Sequence, residues 1–146
     1  MKRLNLKPVV LYSSMCVYVI SLTQHCYCTT ESCGDSIMAL IMGPLGLIFG
    51  GAGFSWLANP FLIIAWFSFK DRYLRTIVVS SISVAFMVSL LVFKEIISDE
   101  AGNYSAIVNY KLGYWLWVLS GGIMLVGSML VFFRSKLSVN ITSTKT

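Results

Sequence analysis

Charged side chains are the scarcest class in this sequence. Of 146 residues, 11 are Lys or Arg, six are Asp or Glu and one is His, whereas 57% are hydrophobic. A soluble domain carries charges on about a quarter of its residues, and these charges cover its surface. The scarcity therefore excludes an ordinary soluble domain and predicts an integral membrane protein.

Four stretches contain no Asp, Glu, Lys, Arg or His, and they cover residues 8–22, 37–69, 76–93 and 113–133. About 20 apolar helical residues cross the ~30 Å hydrocarbon core of a bilayer. The third and fourth stretches fit one crossing each, the first is short, and the second is too long for one straight crossing. Proton- or ion-coupled pumps need ionisable groups at membrane depth. The absence of such groups from the four stretches argues against a pump.

Basic residues favour four crossings over five. Nine of the eleven Lys and Arg lie in three groups, and five of the six acidic residues lie in the two other loops. Four crossings with both termini in the cytoplasm put every basic group inside, whereas five would put the central group outside. The same groups explain the net charge of +5 without a nucleic acid partner. The basic groups are Lys2, Arg3 and Lys7, then Lys70, Arg72 and Arg75, then Arg134, Lys136 and Lys145.

We therefore predict an all-α bundle of four transmembrane helices in a bacterial inner membrane. The membrane domain covers residues 1–134, and the polar segment 135–146 is predicted to be a disordered cytoplasmic tail. The basic start and apolar body of the first stretch are typical of a signal peptide, but no small-x-small cleavage site follows. An uncleaved first helix is expected.

Glycine and proline interrupt the second stretch. Gly46 and Gly50 have the GxxxG spacing, which lets another backbone approach closely, and Pro60 removes a helical hydrogen bond. We expect residues 37–53 to lie oblique, interfacial or re-entrant before the chain crosses the membrane. The glycines then serve either as a helix-packing surface or as a re-entrant segment with a functional role. The residues predicted to set this architecture are Gly46, Gly50, Trp56, Asn59 and Pro60.

Two further features predict contacts between helices. Asn59 is the main strongly polar side chain at depth, so we expect it to hydrogen-bond a neighbouring helix or a carbonyl freed by Pro60. Ser81, Ala85 and Ser89 recur every four residues in the third stretch, which gives that helix a smooth face for a neighbour.

Three of the four cysteines lie in the first outer loop, "HCYCTTESCGD". In an oxidising compartment Cys33 can bridge to Cys28 or Cys26, and we favour Cys28 with Cys33. A metal site is not expected, because the loop offers three Cys and His25 without the usual paired spacing. The DsbB family of thiol-oxidising membrane enzymes also has four helices, but it is marked by two cysteine pairs, one of them CxxC. This chain has CxC and no cysteine in its second outer loop.

The segments "GFSWLANP", "FKEI" and "GNYSAIVNYKLGYWLWVLS" resemble a type of small bacterial inner-membrane protein with four predicted helices. The resemblance implies a fold and a location but no activity, substrate or catalytic residue. P-loop, GxSxG and HExxH motifs are also missing, so no enzyme activity and no cofactor are expected.

These observations predict a non-enzymatic multi-pass protein that acts by helix–helix contact within the bilayer. It would serve as an accessory subunit or as an immunity protein against a pore-forming toxin, and its partner would be another membrane protein or a second copy. Two alternatives stay open. One is a thiol-redox membrane enzyme that uses Cys26, Cys28 and Cys33, and the other is a holin-like pore former.

Overall fold

The computed structural model describes residues 6–97 and 103–143, and these ranges are mostly helical. Within them the chain forms five α-helices, two 3-10 helices and four short strands. In chain order the elements are α1 (Leu6–Leu22), β1 (His25–Thr29), β2 (Cys33–Asp35), α2 (Ser36–Phe49), a first 3-10 helix (Gly51–Leu57), α3 (Ala58–Ser68), α4 (Tyr73–Ser89), a second 3-10 helix (Leu90–Val92), β3 (Glu95–Ile97), β4 (Tyr104–Tyr110) and α5 (Leu112–Ser143).

Two helices in the described part of the chain are long and apolar enough to cross a membrane. One runs over Tyr73–Val92, through α4 and the 3-10 helix that follows it, and the other covers Leu112–Leu137 of α5. The apolar helices Leu6–Leu22 and Ser36–Ile48 are shorter. Helix length thus accounts for the third and fourth predicted crossings, and four crossings in total stays a prediction.

The two predicted outer loops form an antiparallel sheet, so the all-α prediction is wrong on this point. The strand order is β2-β1-β4-β3, and the central pair joins the first loop to the second. Buried backbone N–H and C=O groups need hydrogen-bond partners, and strand pairing supplies them. The β-branched and aromatic residues of β4, "YSAIVNY", suit a strand.

The second long stretch divides into α2, the first 3-10 helix and α3. Gly50 and Gly51 make the turn after α2 with φ angles of 76° and 58°, which L-residues with side chains rarely adopt. The first 3-10 helix then packs back against α2, and a Cβ on Gly53 would overlap the Gly46 carbonyl. Glycine therefore permits both the turn and the close backbone contact.

Helix α5 is the centre of the bundle, since it packs against both α1 and α4, and α3 packs against α4. Small residues allow these approaches, because Gly127 faces Val10 of α1 and Gly121 faces Met87 of α4. Leu62 and Met124 are fully buried in the resulting core.

The backbone of α5 is helical to Ser143, so it extends into the segment 135–146. The disordered tail predicted for that segment stays a prediction. Residues 144–146 lie outside the described ranges. No Gly or Pro follows Gly127, so neither of the two strongest helix breakers interrupts this part of α5.

Candidate functional site

Asn59 is the centre of a buried hydrogen-bond network that joins three helices. Its Oδ1 accepts hydrogen bonds from Tyr18 Oη of α1 at 3.1 Å and from Trp117 Nε1 of α5 at 2.9 Å. Its Nδ2 donates to the Trp56 carbonyl at 3.1 Å. That carbonyl lies four residues before Pro60, which has no N–H to donate to it. Asn59 therefore contacts neighbouring helices and also satisfies the carbonyl that Pro60 leaves free.

A second network lies further along the same helices. Trp66 Nε1 donates to Ser14 Oγ at 2.9 Å, and Ser14 Oγ donates to the Ser120 carbonyl at 2.9 Å. Ser83 Oγ donates to the Ala58 carbonyl at 2.8 Å. These polar side chains are buried and bonded within the bundle, so they stabilise contacts between its helices.

Trp56 connects α2 to the bundle through a hydrogen bond and a ring contact. Its Nε1 donates to the Leu40 carbonyl at 2.8 Å. A Cβ on Gly43 would collide with the indole ring, so the ring lies directly on the backbone of α2. Of the five predicted architectural residues, Trp56, Asn59 and Pro60 thus lie together, whereas Gly46 and Gly50 lie where α2 meets the first 3-10 helix.

The hairpin of β1 and β2 holds the predicted cysteine pair. Cys28 and Cys33 are directly opposite in the ladder, with Cα atoms 3.9 Å apart, and their Sγ atoms are at disulfide distance. The two remaining thiols are free, with Cys16 exposed on α1 and Cys26 buried on β1.

The free thiols and the single histidine are not clustered as possible metal ligands in the part of the chain that the structure describes. In the described ranges no three His, Cys, Asp or Glu side chains lie close enough to hold a metal ion. His25 Nδ1 instead pairs with Asp35 Oδ1 at 2.8 Å on the exposed side of the hairpin. Cys26, the next residue, is buried because successive side chains of a strand point to opposite faces.

A cavity of about 690 Å³ opens between α2, the first 3-10 helix and the sheet. Apolar and aromatic side chains form most of its wall, and the ends of α1 and α5 complete it. Leu40, Trp56 and Trp117 are among these residues. Since apolar cavities with a few polar groups are the usual form of small-molecule sites, we take this cavity as the candidate binding site.

Two small polar groups lie side by side in the cavity wall, Cys26 Sγ and Ser36 Oγ. Burial raises the pKa of the Cys26 thiol to about 11, and the neighbouring Ser36 hydroxyl offsets part of that increase. Ser36 Oγ itself is buried without a hydrogen bond of acceptable geometry among the described residues. A Cβ on Gly113 would collide with it, so the start of α5 closes this side of the wall.

Sequence reasoning did not identify the cavity. In the sequence Cys26 looks like the other loop cysteines. Ser36 looks like an N-cap residue, because serine is common at the start of a helix. The cavity depends on the pairing of β1 with β4, which brings two distant loops together. No local sequence signal encodes that pairing.

Comparison with known proteins adds no assignment: no family model, no curated protein and no solved structure matches this chain.

Proposed function

We propose that the chain is a four-span integral membrane protein of the bacterial inner membrane. The spans would be α1, the first 3-10 helix with α3, α4 with its 3-10 extension, and α5. Only 28% and 33% of the two long apolar helices are buried inside the fold, unlike the core helices of a soluble protein. A lipid environment accounts for the apolar surface that these helices leave uncovered.

The distribution of charge supports an orientation with both termini in the cytoplasm. Lys7 Nζ at the start of α1 lies 4.8 Å from the ring centroid of Tyr73 at the start of α4. Arg72 and Arg75 flank the same end of the bundle, opposite the sheet. Basic residues collect on the cytoplasmic side of inner-membrane proteins, so the sheet and its disulfide would lie outside.

We propose further that the protein is not an enzyme and acts by contact with another membrane protein, as an accessory subunit or an immunity-type protein. The observation that carries this proposal is the position of the small-residue face of α4. Ser81 and Ala85 are exposed, while Ser80, Ser83 and Met87 of the same helix point into the bundle. Val78 and Ile82 are exposed beside them, so the two small residues lie between larger apolar side chains, and small residues let another transmembrane helix approach closely.

The thiol-redox alternative has less support. Cys28 and Cys33 form one disulfide, and the third thiol of the loop, Cys26, is buried with a raised pKa. A reactive redox thiol needs exposure and a lowered pKa. No particular feature of the fold favours the holin-like alternative.

Site-specific photo-crosslinking in bacterial membranes tests the contact proposal. A photoreactive amino acid replaces Ala85 in one variant and Val126, which is 56% exposed on α5, in the matched control. We expect a discrete protein adduct from position 85 and lipid adducts from position 126. The adduct at 85 should disappear in the Ser81→Phe background. Lipid adducts alone at both positions would contradict the proposed contact.

A further inference from the structure

We propose that the cavity beneath α2 binds a neutral amphiphile with a single hydrocarbon chain. The hydroxyl or carbonyl group of the ligand would lie against Ser36, and its chain would run along the apolar wall that α2, the first 3-10 helix and the sheet form around the cavity. This proposal depends on the cavity alone and is independent of the partner proposed for α4.

The size and lining of the cavity suit such a ligand. Its volume of about 690 Å³ lies within the ~300–1,000 Å³ range of ordinary small-molecule sites. Leu40, Leu45 and Ile96 provide aliphatic wall, and the indole rings of Trp56 and Trp117 provide flat apolar surface. This space accommodates one chain with a small head group more readily than a two-chain phospholipid.

The Ser36 hydroxyl is the observation that points to a ligand. Ser36 is 8% exposed, and its Oγ makes no hydrogen bond of acceptable geometry among the described residues, its one polar neighbour being the Cys26 thiol, a weak hydrogen-bonding group. An unpaired buried hydroxyl is costly, whereas Asn59, which lines the same cavity, is bonded to its neighbours. A ligand hydroxyl or carbonyl beside Ser36 would supply the missing partner.

Charge defines the class of head group. Among the described residues that form the wall, Glu95 is the one Asp, Glu, Lys or Arg side chain. A carboxylate repels anionic head groups such as phosphate. The Ser36 hydroxyl and the Cys26 thiol are both uncharged hydrogen-bonding groups, and they favour a neutral head group.

Photo-affinity labelling of the purified full chain in mild detergent tests the proposal. The probe is a monoacylglycerol that carries a diazirine in its chain, and the competitor is monopalmitoylglycerol. Lysophosphatidic acid with the same chain and glycerol serve as the anionic and chain-free controls. We expect adducts on wall residues such as Leu40 and Trp56, which only the neutral competitor removes. Adducts confined to the outer faces of the helices, or equal competition by the anionic lipid, would overturn the proposal.

Two variants on neighbouring positions of α2 sharpen the test. Ala39→Phe fills the cavity, because Ala39 forms part of its wall, whereas Met38 is 56% exposed and is not part of the wall. We expect Ala39→Phe to reduce labelling at least tenfold and Met38→Phe to leave it unchanged. Equal labelling of the two variants would refute the assigned site.

Ser36→Ala provides a readout that does not depend on tolerance of a large side chain. It removes the unpaired hydroxyl, so the unliganded protein should melt at the same temperature or higher. The half-competing concentration of monopalmitoylglycerol should rise about fivefold to tenfold, the value of one net hydrogen bond. Unchanged competition in a folded Ser36→Ala protein would remove Ser36 from the site and contradict the proposed mode of binding.

Discussion

Replacing Asn59 by leucine should destabilise the bundle more than any single polar substitution near it. Asn59 is 6% exposed and bridges α1, α5 and the start of α3 through Tyr18, Trp117 and the Trp56 carbonyl. Leucine branches at the same atom as asparagine, is somewhat larger and has no polar atoms. The substitution therefore removes hydrogen bonds without creating a cavity.

The expected magnitude follows from the number of bonds. Measured hydrogen bonds between transmembrane helices average about 0.6 kcal/mol, with a maximum of about 1.7. Asn59 makes two such bonds, to Tyr18 and Trp117, and a third bond within its own segment to the Trp56 carbonyl. Asn59→Leu should thus cost about 2 kcal/mol. Tyr18→Phe removes one bond and should cost about 0.6 kcal/mol.

Reversible denaturation in mixed detergent micelles, followed by far-UV circular dichroism, measures both free energies of unfolding. The double variant Tyr18→Phe with Asn59→Leu should be no less stable than Asn59→Leu alone, since the shared bond is already lost. A cost for Asn59→Leu equal to that of Tyr18→Phe, or full additivity in the double variant, would refute the central role assigned to the amide.

Three further results are expected. Gly53→Ala should lower the free energy of unfolding by more than 1 kcal/mol in the same assay, because its Cβ would overlap the Gly46 carbonyl, while Gly46→Ala, whose Cβ meets the Gly53 Cα at 3.4 Å, should cost less. Cys28→Ser should cost about 2 kcal/mol relative to the oxidised protein, the entropy of a short closed loop, and a reductant should have no further effect on the variant's stability. Because the pKa of Cys26 is raised to about 11, its alkylation by N-ethylmaleimide should accelerate about tenfold per pH unit from pH 8 to 10. For the same reason the free energy of unfolding should fall only as the pH rises from the thiol's ordinary pKa of 9.0 toward 11. A rate for Cys26 at pH 8 equal to that of a free cysteine in water would contradict its burial.

The helical parts of the fold could be predicted because composition and length carry that information. The charge-free stretches 76–93 and 113–133 correspond to the two long apolar helices, and the glycines near residue 50 mark the break between α2 and the helices that follow. The sheet was missed because a hydropathy pattern treats everything between apolar stretches as loop. The alternation in β4 was visible locally, but its pairing with β1 joins residues about 80 positions apart, as in Cys28 with Asn109.

The candidate site was predictable in part. An asparagine at membrane depth beside a proline needs hydrogen-bond partners, so the sequence predicts that Asn59 bonds a neighbouring helix or a backbone carbonyl. Its donors Tyr18 and Trp117 lie on other helices, and no spacing rule identifies them. The sequence does not mark Ser36, because the hydrogen bonding of its hydroxyl depends on how α2, β1 and α5 are arranged in the fold.

The two ends of the molecule differ in how completely their polar groups are satisfied. In the bundle, Ser14, Asn59 and Ser83 each bond a neighbouring helix, so substitutions there should change stability first. Beneath α2, Ser36 is unpaired beside an open cavity, so its loss should change ligand binding while stability holds or improves. Both residues line the cavity, so opposite signs at Asn59 and Ser36 would distinguish a polar group that holds the helices together from one that is left for a ligand. The sheet end is therefore where we expect small-molecule recognition, and the exposed face of α4 is where we expect protein contact.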